Sequence, residues 1–85
     1  MSDLSKVASD WAPWIGALAD ALGVDARLVD VDFIHSLSQV VAHEFERPMA
    51  PVAAYVLGLA AARHPERSLE ELRAAIVGAI PRSAS

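Results

Sequence analysis

Apolar residues recur at helical spacing over four stretches of this chain, and no stretch alternates at the period of a strand. In the first stretch Trp11, Trp14, Ile15, Leu18 and Leu22 fall on one face, which predicts a helix over 10–22 with those side chains in the core. Ser9 or Asp10 is suited to cap its start, and Pro13 falls in the first turn, where a missing N–H costs little. Gly23 suits the C′ position, where a left-handed residue closes a helix. Residues 1–8 read as a frayed lead-in to which Leu4 and Val7 contribute packing. Val24 to Val29 reads as a connection with a short helical turn capped by Asp25, sending Leu28 and Val29 into the core.

Asp30 is placed to cap a second helix over 31–46, with Asp32 in the first turn, where the helix dipole favours an anion. Its apolar stripe is Phe33, Ile34, Leu37, Val40, Val41 and Phe45. Pro48 is expected to end it, because a residue preceding proline avoids the helical region. The third helix, 49–63, is apolar nearly all round. Val52, Tyr55, Val56 and Leu59 are bulky, whereas Ala53, Ala54, Gly58, Ala60, Ala61 and Ala62 are small. Such a helix sits centrally or faces a partner. His64-Pro65 closes it. Ser68-Leu69-Glu70-Glu71 is a capping box opening a fourth helix over 69–80, with Leu69, Leu72, Ile76 and Ile80 on one face. Pro81 stops it, and 82–85 is a polar tail. The expected fold is all-α, a compact four-helix bundle forming one domain over 1–85, with an extra short turn at 25–29.

Composition narrows the function classes. At 85 residues and 54% hydrophobic, the chain has room for one core and carries much apolar surface for its size. The net charge of −4 argues against unspecific nucleic-acid binding, which needs a basic surface. The charge is uneven. Residues 1–46 carry eight acids against Lys6 and Arg27, net −6, and residues 47–85 carry three acids against five arginines, net +2. The simplest reading is complementarity between the halves, or charges placed at helix ends. The longest uncharged run, Pro48 to Ala62, is too short for a membrane span of about 20 residues. With no cysteine and a polar, acidic N-terminus unlike a signal peptide, the expected home is cytoplasmic.

Chemistry-bearing residues gather at 43–51. His43-Glu44 matches the first half of the zinc-protease helix signature, but the position of the second histidine is Arg47, which cannot ligate zinc. His35 and His43 lie two turns apart on one helix, too far to share an ion directly. No metal, cofactor or catalytic residue is expected. His43 and Arg47, four apart, read first as cations complementing the end of the second helix. The sharper alternative is an anion or nucleotide site, in which Arg47 works with the N–H groups that open the third helix. For the third helix, one reading is close packing inside the bundle. The other is an interface for a second copy or a larger protein, built on Val52, Tyr55, Val56, Gly58 and Leu59.

Asp10-Trp11, Leu22-Gly23-Val24, Leu28-Val29-Asp30, Val41-Ala42-His43, Arg47-Pro48, Ala50-Pro51 and Gly58-Leu59-Ala60-Ala61 together give the chain a family likeness over roughly residues 10 to 63. It resembles a small bacterial helical domain family of unknown function. Members of that family occur alone or C-terminal to nucleotidyltransferases similar to molybdenum cofactor guanylyltransferase. The resemblance implies an accessory role near molybdopterin cofactor synthesis and brings no active residues with it. The transferase's phosphate-binding glycine motif is absent from this chain. The expected function is a non-enzymatic interaction module that associates with itself or docks on a larger enzyme such as a nucleotidyltransferase, without nucleic-acid or membrane partners.

Overall fold

The computed structural model describes residues 10–81. The fold is all-α, with four α-helices and no strand among the described residues. They are α1 (Ala12–Leu22), α2 (Val31–Glu44), α3 (Ala50–Arg63) and α4 (Leu69–Gly78), with 3-10 turns at Ala26–Leu28 and Arg47–Met49. The lead-in at 1–8, the candidate cap Ser9 and the tail at 82–85 lie outside the described residues. The chain divides between Phe33 and Ile34 into two units.

In the first unit, α1 starts without a side-chain cap. Trp11 occupies the N-cap position, and a proline follows in the first turn. The helix closes as its sequence predicts. Gly23 is left-handed (φ 70°), its N–H donates to the Asp20 carbonyl, and the Val24 N–H donates to the Ala19 carbonyl at 2.8 Å. This Schellman arrangement satisfies two carbonyls that the helix would otherwise leave open. The chain then folds back so that the 3-10 turn packs against α1. Asp25 caps that turn, accepting from the Arg27 N–H at 2.9 Å.

The core of this unit differs from the one expected. Among its described residues only Ala19 is buried, and Trp14, Leu18 and Leu22 are exposed. The covered side of α1 runs through Trp11, Ile15, Gly16 and Ala19, and Trp14, Leu18 and Leu22 are turned away from it. Leu28 also departs from expectation, at 74% exposed. In a 3-10 turn residues three apart eclipse one another. Ala26 and Val29 therefore share the half-buried side, and Leu28 projects outward.

The second unit carries the larger core, composed of Leu37 and Val41 from α2, Leu57 from α3, Leu72 from α4, and Ile80 just beyond it. Helix α2 is entered at Asp30, whose Oδ1 accepts from the Phe33 N–H at 3.0 Å. It ends at Glu44, earlier than Pro48 alone would require. Glu46 is the extended residue (φ −142°, ψ 137°), and the 3-10 turn that follows contains Pro48. Phe45, whose N–H still donates to the Val41 carbonyl at 2.9 Å, is exposed at the helix end. Helix α3 packs against α4. The capping box forms in full, with the Glu71 N–H donating to Ser68 Oγ at 3.1 Å and the Ser68 N–H donating to Glu71 Oε1 at 3.0 Å. Arg73 Nη1 donates to Ser36 Oγ at 3.2 Å, a partly buried link from α4 to α2.

Candidate functional site

Helix α3 is turned inside out with respect to side-chain size. Its covered side is made of Ala53, Ala54, Ala60 and Ala61, all half-buried, and of Leu57, its one buried residue. Its open side carries the bulk: Tyr55 is 69% exposed, Leu59 55%, Val52 48% and Val56 45%. At 100° per residue these four side chains share an arc of about 100°, the width of an ordinary buried stripe. Helix α4 packs against α3, and the large side chains of α3 lie on its exposed side. The helix stays uncharged from Ala50 to Ala62, so no polar residue interrupts the open face.

Gly58 makes no close contact within the bundle. It is exposed, and a Cβ at this position would meet nothing within 4 Å. Gly58 lies at the rim of the open face, beside Tyr55 and Leu59.

The second candidate site is placed differently from its sequence expectation. His43 lies in the last turn of α2 and Arg47 in the following 3-10 turn, and both are exposed. The backbone between them leaves the helix and extends at Glu46, so the spacing of four no longer aligns the two side chains on one face. Donors near the start of α3 are also few. The Met49 and Ala50 N–H groups already donate to the Glu46 and Arg47 carbonyls, and Pro48 and Pro51 have none.

Elsewhere, no group of three His, Asp or Glu side chains among the described residues is arranged to hold a metal ion. No described helix is long and apolar enough to cross a membrane. The best-defined charged pair is local. Arg27 Nε and Nη2 reach the two Asp25 carboxylate oxygens at 3.1 and 2.8 Å, and the guanidinium holds that carboxyl below the usual aspartate value of 3.8. The His64 Nδ1 atom lies 3.7 Å from Glu66 Oε2.

A family model for a domain of unknown function, DUF6457, matches residues 6–85. The chain belongs to that family. The DUF6457 match continues past α3 through α4, so the capping box and the Arg73 link lie within the domain and not in an appendage to it. No curated protein and no solved structure matches the chain. The DUF6457 description names no activity, which leaves the open face of α3 as the feature with the most to say about function.

Two features were not legible in sequence. Arg73 counted only as a charge on α4, and its reach to Ser36 depends on how α2 and α4 pack. The exposure of Trp14 and Leu18 was equally hidden, since a helical period identifies an apolar face without saying what covers it.

Proposed function

We propose that this DUF6457 domain is a non-enzymatic helical interaction module that associates with itself or docks on a larger enzyme through α3. The observation that supports this reading is the placement of Val52, Tyr55, Val56 and Leu59 on the open side of a helix whose covered side is almost all alanine. Burying such side chains against a partner gains roughly 1.5–3 kcal/mol for each one fully covered, before the cost of association. On the strength of the family resemblance, a nucleotidyltransferase of molybdopterin cofactor synthesis is the first larger partner to test. The anion-site reading of His43 and Arg47 has no comparable support, because the two side chains sit on different elements and donors near them are sparse.

The test is quantitative co-purification from native cells, with the wild-type chain and the Tyr55→Glu/Leu59→Glu variant as baits. The expected result is one or more proteins, a second copy of the chain included, retained by the wild type and lost by the variant. The reading is overturned if the two baits retain the same set while circular dichroism shows both folded.

A further inference from the structure

The open face of α3 is close to self-complementary. Its four large residues are symmetric about the midpoint between Tyr55 and Val56, with Val52 and Leu59 as the outer pair. Two copies of α3 crossing antiparallel about a two-fold axis at that midpoint would set Val52 of each copy against Leu59 of the other and bring the Tyr55 and Val56 side chains together at the axis. Such an isologous contact closes on itself.

The charges at the two ends of α3 favour the same direction. Its N-terminal approach carries two exposed acids, Glu44 and Glu46, against one exposed base, Arg47. The C-terminal exit carries two exposed bases, Arg63 and Arg67, against one exposed acid, Glu66. Antiparallel pairing places the net-negative end of one copy against the net-positive end of the other, whereas parallel pairing places like on like. The helix dipoles also oppose when the pair is antiparallel.

From these observations we infer that the occupant of the α3 face is a second copy of this chain, seated antiparallel about a two-fold axis between Tyr55 and Val56. The inference rests on the proposal that α3 is a docking face and adds the identity and direction of the partner. A single 14-residue helix pair is small among stable interfaces, so the dimer dissociates on dilution.

The experiment exploits the absence of native cysteine. Sedimentation of the full chain over a concentration series should show a monomer–dimer equilibrium. Val56→Glu should raise the dissociation constant by roughly tenfold to a hundredfold, with circular dichroism unchanged because the residue lies on the open side of α3. Leu59→Gln is the second variant, should the glutamate disturb folding. Direction is read from disulfide formation. Val52→Cys and Leu59→Cys chains should cross-link to each other when mixed, and each should cross-link poorly alone. A wild type that stays monomeric at the highest concentrations overturns the inference, as does Val52→Cys linking to itself as fast as to Leu59→Cys. If the wild type is monomeric yet captures a different protein through this face, the self-pairing is wrong and the docking proposal stands. If no capture depends on the face either, both fail.

Discussion

Asp25 shows how much one residue can organise at an exposed site. Its carboxylate accepts from the Arg27 N–H and from the Arg27 guanidinium, so one side chain both caps the 3-10 turn and anchors the cation within it. The side-chain hydrogen bond from Arg27 is the larger cause of its lowered pKa, and the backbone N–H adds to it. The folded value lies below the unfolded one. The carboxylate therefore supports the turn above the ordinary aspartate range and loses that support as pH falls through the folded value. A carbon-detected NMR titration should give Asp25 a midpoint below 3.8, and Arg27→Gln should move it back toward that value. The cap was legible because Asp at the start of a short turn can accept a backbone N–H two residues on. The outward direction of Leu28 was not, since it depends on the turn being 3-10.

At the scale of the element, helix ends were easier to read than helix sides. Gly23, Asp30 and Ser68 stop or start their helices through contacts within three to five residues, which a sequence carries in full. The capping box of α4 makes this measurable. Ser68→Ala should cost about 1 kcal/mol, within a range of roughly 0.5–2, read as a lowered urea midpoint with an unchanged slope. Glu71→Ala should cost less when Ser68 is already alanine, because the two hydrogen bonds belong to one motif. The sides of α1 and α3 were harder. Their apolar periods are real, yet the covered sector of α1 is centred near Ala19 and that of α3 near Leu57, and Trp14, Leu18 and Leu22 on α1 and Val52, Tyr55, Val56 and Leu59 on α3 lie outside it. Size told against the truth here. Reasoning from hydrophobicity put Trp14 in the core, whereas close approach selected alanine and glycine.

For the whole molecule, the all-α class followed from period alone, and the lack of charge along α3 is what made its residues candidates for an interface. The candidate pair His43 and Arg47 fared less well, because a spacing of four has meaning only while the helix continues, and α2 stops at Glu44. A chain that is 54% hydrophobic keeps ten large apolar residues at least 40% exposed among the described residues, so its stability should depend on how many copies are present. The thermal midpoint of the wild type should rise with protein concentration, because a partner that binds only the folded state stabilises it by mass action. That of Val56→Glu should stay flat over the same series.

The alanine side of α3 has a mechanical consequence. Methyl groups of nearly equal height make a smooth bearing, and Leu57 is the one tooth that stands above it. Leu57 is the one large side chain on that side, so an axial slip of α3 would have to lift it out of the core it fills. Leu57 thus acts as the pin that fixes the helix along its own axis. Truncating it would loosen the register of α3 against α4 as well as hollowing the core, and the outward Tyr55 and Leu59 would move with the shaft that carries them.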